Sequence, residues 1–181
     1  RVGARVVVNA TGAWGPLTAA LAGVPASRAR VRPGKGIHVV LDRRITNVAV
    51  LSKAIDGRQV FLLPWQNVTV LGTTDDDWIY DKAHPAARRV DIGYLLRHIN
   101  EVLSVPLTRE DISGVYAGLR PLLSGENEDT SQLSREHASS WASRVRVAIA
   151  GGKYTTYRVM ARDAVDAAVD DLGRHLPPCV T

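Results

Sequence analysis

The sequence predicts a chain of class α/β plus α+β, in which an antiparallel sheet is inserted into an open α/β domain. Three observations carry that reading. The chain opens on the apolar run Val6-Val7-Val8, followed by Asn9-Ala10-Thr11-Gly12-Ala13-Trp14 and the helix-like run Pro16 to Leu21: strand, small-residue turn, helix. It closes on the same order of elements, Val145 to Ala150 passing through Gly151-Gly152-Lys153-Tyr154-Thr155-Thr156 into an amphipathic segment that ends near Leu172. Between these ends lie short β-like runs separated by turn residues, the pattern of strands paired antiparallel.

Gly23-Val24-Pro25 follows the first helix, and Val31 to Leu41 reads as a Pro/Gly-rich approach to a short strand. Strands follow at Asn47 to Leu51, Val60 to Leu63 and Val68 to Gly72, with Ile55-Asp56-Gly57-Arg58 and Trp65-Gln66-Asn67 as the turns. From Ala86 the period changes. Ile92, Leu95, Leu96, Ile99 and Leu103 recur at helical spacing, which predicts a helix over the sheet with Asp91, Arg97, Asn100 and Glu101 off its apolar stripe. Pro106 stops it, and Asp111 to Leu119 returns as a strand delivering Gly118-Leu119-Arg120-Pro121-Leu122. Ser124 to Ser140 reads as a polar surface loop, with order resuming at Trp141. The last helix, Thr156 to Leu172, is expected to bury Met160, Ala164, Ala167, Ala168 and Leu172 and to wet Asp163, Asp166 and Asp170. The expected division is 1–30 and 145–181 as parts of one domain, with 31–144 inserted.

A chain of 181 residues, 45% hydrophobic and 23% charged, can bury a core. Its apolar runs fall far short of the roughly 20 residues that cross a bilayer, and no charged-then-apolar pattern is read ahead of them, so neither a transmembrane nor a secretory chain is expected. Cys179, beside Pro177 and Pro178, is the one cysteine, so no disulfide framework forms and a reducing compartment is expected. The chain starts without Met, in a basic pentad just ahead of a strand, and reads as an internal part of a longer protein. The net charge of +5, from 23 Lys and Arg against 18 Asp and Glu, admits anionic partners. Distribution decides among them: the arginines are scattered over many elements and do not interleave with the one Phe and five Tyr. That argues against a nucleic-acid module and for a small phosphorylated substrate. Asp75-Asp76-Asp77 is not read as a metal site, because consecutive residues of an extended chain point to opposite sides.

Both end turns offer the same chemistry. Glycines let backbone approach a ligand closely, and a helix start supplies unpaired N–H groups at the positive end of its dipole. Each is half of a nucleotide-cradling unit. The other half, a Gly-x-Gly-x-x-Gly turn after a first strand with an acid further on, does not occur between Arg1 and Thr181.

Val8 to Trp14, Lys35-Gly36-Ile37-His38-Val39-Val40, Leu71-Gly72-Thr73-Thr74-Asp75, Tyr116 to Leu122 and Gly151 to Arg158 stand in the order and spacing of FAD-dependent, quinone-linked glycerol-3-phosphate dehydrogenases, which the chain resembles from about Ala4 to about Leu172. The resemblance implies part of a glutathione-reductase-like FAD-binding domain with an inserted antiparallel substrate domain. It lacks the N-terminal Gly-rich fingerprint and the C-terminal helical domain of that family. The implied activity is oxidation of sn-glycerol 3-phosphate to dihydroxyacetone phosphate by hydride transfer to FAD, electrons passing to a quinone. A cytoplasmic enzyme attached peripherally to the membrane follows, with homodimerisation left open.

The resemblance also assigns roles. Arg120 and Arg135 fall on substrate-phosphate arginines, where a guanidinium grips a dianion bidentately. Lys153 lies near both substrate and flavin, with Thr155 beside it on the substrate side. Ala10, Thr11, Gly12, Gly151, Gly152, Lys153, Thr155 and Thr156 are the implied cofactor-binding set, the amides of Thr155 and Thr156 facing the pyrimidine edge of the flavin. His38 is the candidate proton acceptor from the C2 hydroxyl, which with Lys153 and Arg120 completes the catalytic set. Each has a structural alternative: Arg120 as a surface ion pair, His38 as a hydrogen-bonded core residue, the two glycines as a helix-entry device. Rival readings are a related flavin oxidase acting on glycerol 3-phosphate or an amino acid, and a non-catalytic anion-binding module. Without the missing half, the chain alone is expected to bind FAD weakly and not to turn over.

Overall fold

Along Lys35-Gly36-Ile37-His38-Val39-Val40-Leu41 the residues Lys35, Ile37, Val39 and Leu41 are fully buried while His38 and Val40 are only half-buried, the period-two signature of a strand with one covered face. In the computed structural model, which describes residues 3–23, 31–123, 137–143 and 146–180, this strand is β2, Val31–Leu41. It is longer than the sequence suggests. Pro33 and the glycines after it read as breakers, yet the ladder to Asp76 and Asp77 begins at Gly34, one residue past the proline that has no N–H to give.

The chain divides into two compact units, Arg1–Pro33 with Arg120–Thr181, and Gly34–Leu119. The unit boundary at 119/120 falls within β7 (Ile112–Leu123), which delivers Arg120 onward to the first unit, where β8 (His137–Ser143) pairs with β9 (Arg146–Gly151).

The inserted unit is a sheet covered by one helix. β3 (Val50–Lys53), β4 (Gln59–Trp65), β5 (Val68–Gly72) and β2 follow one another antiparallel, with β6 (Asp76–Asp77) on β2 beyond β5. β7 also pairs β2, the Asp42 amide donating to Asp111 O at 3.0 Å. β3 starts three residues later than expected because the Thr46 hydroxyl both accepts from Val48 N–H and donates to Val48 O, a side-chain turn that takes Val48 out of the ladder. Helix α2 (Arg89–Ile99) lays Leu95, Leu96 and Ile99 on Ile37, Val39, Leu41, Val60, Leu62 and Leu71. Each such aliphatic side chain contributes about 1.5–3 kcal/mol on leaving water. Below the helix, Asn100 and Leu107 exchange two hydrogen bonds, Nδ2 to Leu107 O at 2.9 Å and Leu107 N–H to Oδ1 at 2.8 Å.

The outer unit has its own three-stranded sheet in the order β1-β9-β8, where β1 is Val7–Asn9. β1 and β9 run parallel, and β8 is antiparallel to β9. Residues 137–140, assigned to a polar loop from sequence, therefore belong to a strand; His137-Ala138-Ser139-Ser140 has no apolar alternation, and only the ladder to β9 reveals it. The rest of that loop lies outside the described residues. Helix α1 (Gly15–Leu21) follows β1, and α3 (Tyr157–Asp171) follows β9. Of the α3 residues expected inside, Ala164 is buried and Met160, Ala167, Ala168 and Leu172 are half-buried; Asp163 is also half-buried, while Asp166 and Asp170 face water. Among the described residues no helix is long and apolar enough to cross a membrane.

Candidate functional site

Because β1 and β9 are parallel neighbours, with Val7 opposite Arg146, Val8 opposite Val147 and Asn9 opposite Ala148, the turns after them leave the same edge of the sheet. The carboxyl edge of parallel strands is where open α/β folds bind ligands. On this edge the structure brings together Ala10, Thr11 and Gly12 from the first turn and Gly151, Gly152, Lys153, Thr155 and Thr156 from the second. The short helical turn at Gly12–Trp14 packs against β9 itself.

The first turn is shaped by side chains. Asn9 donates through Nδ2 to Gly15 O at 2.9 Å and accepts the Thr11 hydroxyl at 2.7 Å and the Thr11 amide at 3.3 Å. The Thr11 hydroxyl also meets that of Thr18 at 3.0 Å. Thr11 is thus committed to holding the turn, and Ala10 and Gly12 offer backbone. Gly12 has φ of +58°, a conformation that costs an L side chain about 1–2 kcal/mol. A Cβ added there would meet Pro121 Cγ at 4.0 Å, an ordinary contact, so the glycine serves the turn's path, and the Arg120-Pro121 segment of β7 lies beside it.

The second turn is stricter. Gly151 and Gly152 take φ of +77° and +78° in succession, a route that exposes bare backbone. A single helical turn, Tyr154–Thr156, then precedes α3. The Thr156 hydroxyl accepts the Lys153 amide at 3.1 Å and donates to Lys153 O at 3.0 Å, which pins Lys153 from both sides. The Thr156 amide closes on Lys153 O at 3.0 Å. This differs from the sequence reading, which offered that amide to a ligand: the extra turn ahead of α3 consumes it. Lys153 and Thr155 are exposed, and Lys153 makes no ion pair among the described residues. Arg120 is half-buried. Arg135 lies outside the described residues.

His38 belongs to the inserted unit, half-buried on the sheet face opposite Ile37 and Val39, its imidazole stacked on Tyr116 with centroids 4.9 Å apart and planes 12° apart. That favours neither a sealed core residue nor a surface one. The same unit holds two charged assemblies that sequence reasoning missed. Lys35 and Asp91 form an ion pair with both side chains out of solvent, Lys35 also approaching Ala86 O at 3.4 Å and the Trp78 ring at 5.0 Å. Burial alone would push the Asp91 carboxyl up, but hydrogen bonds from Lys35 and from the Arg88 amide, 2.7 Å away, hold it below the usual carboxylate range. The signal was present: Lys35 shares the strand phase of Ile37, Val39 and Leu41, and Asp91 stands four and eight residues before Leu95 and Ile99, on the stripe and not off it.

The second assembly centres on Arg58, which bonds Asp56 through Nε at 2.8 Å, reaches Asp75 O at 3.2 Å and Asp76 at 3.4 Å, and lies 4.3 Å over the Tyr94 ring. Tyr94 donates to Asp56 at 3.0 Å. Burial and that hydrogen bond push the Tyr94 hydroxyl up to about 12. Burial raises Asp56, but the bonds from Arg58 and Tyr94 outweigh it and its carboxyl sits low. Asp75 and Asp76 are thereby drawn to an arginine, and among the described residues no cluster is suited to hold a metal.

Comparison with known proteins gives a consistent picture. The family model described as FAD dependent oxidoreductase matches residues 1–158. Over 178 residues, 97% of this chain, the sequence is 52% identical to glycerol-3-phosphate dehydrogenase 2 of Mycobacterium tuberculosis, covering 30% of that protein. It is 36% identical over 176 residues to the human mitochondrial glycerol-3-phosphate dehydrogenase, covering 93% of this chain and 24% of that one. The crystal structure of the Bacillus halodurans glycerol-3-phosphate dehydrogenase complexed with FAD superposes with a TM-score of 0.78 at 31% identity, over 98% of this chain and 34% of that one. The chain thus spans about a third or less of the length of these relatives. With its paired glycine turns on one sheet edge, its antiparallel insert and a family match over most of its length, the chain belongs to the FAD-dependent oxidoreductase family.

Proposed function

We propose that the chain is part of a flavoprotein that oxidises sn-glycerol 3-phosphate to dihydroxyacetone phosphate. The observation that carries this is the edge formed by β1 and β9, where two bare glycine turns and a pinned, exposed lysine lie together, with the Arg120-Pro121 segment beside the first of them. The names of the similar proteins supply the substrate. The outer unit is then the second part of a glutathione-reductase-like FAD-binding domain, and the insert its substrate domain. Successive positive-φ glycines are a cradle that side chains would fill, which suits a planar ring or a pyrophosphate approaching backbone.

When bound, FAD supplies the hydride acceptor. The chain's own residues do the rest. Arg120, with Arg135, grips the phosphate dianion bidentately, and Lys153, held by Thr156, adds fixed positive charge where electron density arrives. His38 takes the C2 hydroxyl proton as the C2 hydride departs, so that one hydride and one proton leave, two electrons and two protons in all, and a ketone remains. Electrons pass on to a quinone, a lipid-phase acceptor, which fits a cytoplasmic enzyme held at the membrane surface.

The test is the visible spectrum of the whole flavin-loaded protein, of which this chain is a part, mixed anaerobically with sn-glycerol 3-phosphate. We expect the oxidised flavin band to bleach, and Arg120→Met to abolish bleaching at substrate concentrations that saturate the unaltered protein. A band unmoved by glycerol 3-phosphate but bleached by an amino acid overturns the substrate. Reoxidation by a soluble quinone analogue faster than by oxygen supports the acceptor; the reverse order makes the protein an oxidase.

A further inference from the structure

The antiparallel register sets His38 opposite Gly72 on β5, and Gly72 opposite Phe61 on β4. These three positions form one row on the face of the sheet away from α2, since Ile37, Val39, Val60, Leu62 and Leu71, their neighbours along the strands, are buried beneath that helix. The imidazole lies over the site where Gly72 would carry a side chain. A Cβ added at Gly72 would stand 2.3 Å from His38 Cδ2, 2.8 Å from Nε2 and 3.1 Å from Cγ. The first two separations are closer than a Cβ approaches a non-bonded atom and the third is tight, and the backbone on which such a Cβ sits is clamped between β2 and β4. Phe61 closes in at 5.6 Å and 43°, and Tyr116 stacks nearly parallel at 4.9 Å and 12°.

We propose that Gly72 and Tyr116 are positioning residues for His38, together making a slot that admits the imidazole in one orientation and so aims the nitrogen that receives the substrate proton. The inference rests on the proton-acceptor role given to His38 above. An exposed imidazole samples several χ1 and χ2 wells, and only some direct a ring nitrogen at any one place. Here the bare backbone of Gly72 lets the ring lie across the strand, while the Tyr116 ring stands against its flat side; neither residue needs to touch substrate. The Gly72 of Leu71-Gly72-Thr73-Thr74-Asp75 then has a reason distinct from turn formation, because it sits within a regular ladder and its backbone φ is not in the left-handed region.

Two readouts separate the slot from the reaction. The first is the ring-proton NMR signal of His38 in the flavin-loaded protein, which stacking on Tyr116 shifts upfield. Tyr116→Phe keeps the shift, whereas Tyr116→Ala and Gly72→Ala remove it; an unshifted signal in the unaltered protein overturns the slot whatever the activity. The second is steady-state oxidation of sn-glycerol 3-phosphate by the whole flavoprotein of which this chain is a part. Gly72→Ala and Tyr116→Ala are expected to lower kcat at least about tenfold with KM changed less than about twofold, the pattern of misplaced chemistry rather than lost binding, and Tyr116→Phe to retain most of kcat. In a His38→Ala background Gly72→Ala should cost nothing more, since the ring it collides with is gone. An equal loss in both backgrounds means Gly72 acts through the backbone, and overturns the proposal. Should Gly72→Ala fail to fold, the Tyr116→Ala and Tyr116→Phe pair decides alone. Full kcat in His38→Ala, together with an upfield-shifted His38 signal in the unaltered protein, overturns the proton-acceptor role and the positioning role with it, leaving the slot as packing.

Discussion

Gly34-Lys35-Gly36 and Gly151-Gly152-Lys153 are alike on paper, a lysine beside glycines at a strand, and the fold uses them in opposite ways. Lys35 is 0% exposed, on the covered face of β2, and spends its charge on Asp91. Lys153 is exposed at the end of β9, pinned through its backbone by Thr156 with its ammonium left to face solvent. The difference is one of strand phase and of what the glycines do. Around Lys35 they lie in a regular ladder; before Lys153 they take a left-handed path and end the strand. A lysine's role is therefore read from its periodic neighbours and not from its immediate motif.

The buried lysine carries the larger stake. Lys35→Met should cost about 3–5 kcal/mol of folding free energy, because Asp91 is left charged and desolvated, while Lys35→Met with Asp91→Leu recovers most of it. Urea denaturation of the three proteins measures this, and equal losses in single and double variants would refute the pairing. The Asp91 carboxyl is held below its ordinary value of 3.8, so its stabilisation is present above that pH and lost as the pH falls beneath it. The acid limb of the stability profile should flatten in Lys35→Met.

At the exposed member, Gly152→Val should cost about 1–2 kcal/mol, the strain of a side chain at positive φ, and should release flavin. Flavin absorbance after gel filtration, set beside the melting temperature, checks both. Full flavin retention would show that the bare backbone there is not a cradle.

A smaller effect tests the polar network between hairpin and helix. Tyr94→Phe removes the bond to Asp56 and should cost about 1 kcal/mol. With the Tyr94 hydroxyl raised from 10.0 to about 12, the folded state holds that proton longer than the unfolded chain does. Its stabilisation is complete below pH 10 and declines as the pH rises through about 12, a decline that denaturation midpoints should show in the unaltered protein and not in Tyr94→Phe. Least of all should matter Arg162→Ala on α3, whose pair with Asp163 is solvated; no measurable change in melting temperature is expected.

Much of the insert was legible because period and partner agree there. Val68 to Gly72 alternates and is a strand at those residues, and the Leu95, Leu96, Ile99 stripe is the helix face on the core. Where one chemical type breaks the period, the reading failed: Asp91 stands on the stripe, but a carboxylate there makes sense only once Lys35, 56 residues earlier, is known to meet it. β8 escaped because its regularity comes from the ladder to β9 and not from its own residues. At the candidate site, the glycines and Lys153 could be picked out, since positive φ and helix entry leave a compositional trace. That Thr156 spends its amide on Lys153 left none, and neither did the pairing of His38 with Gly72, which depends on a register that pattern alone does not fix.

The Asn100 side chain imitates one rung of a strand for Leu107, giving and receiving a hydrogen bond through a single amide. Such a clip has a shelf life. Slow hydrolysis of that amide to a carboxylate would turn the donor at Nδ2 into a second acceptor, set against the carbonyl of Leu107, and one rung would become a repulsion. Aged protein would gain one negative charge and loosen first in the segment between α2 and β7, so that chemical wear, and not heat, would be what opens this corner of the insert.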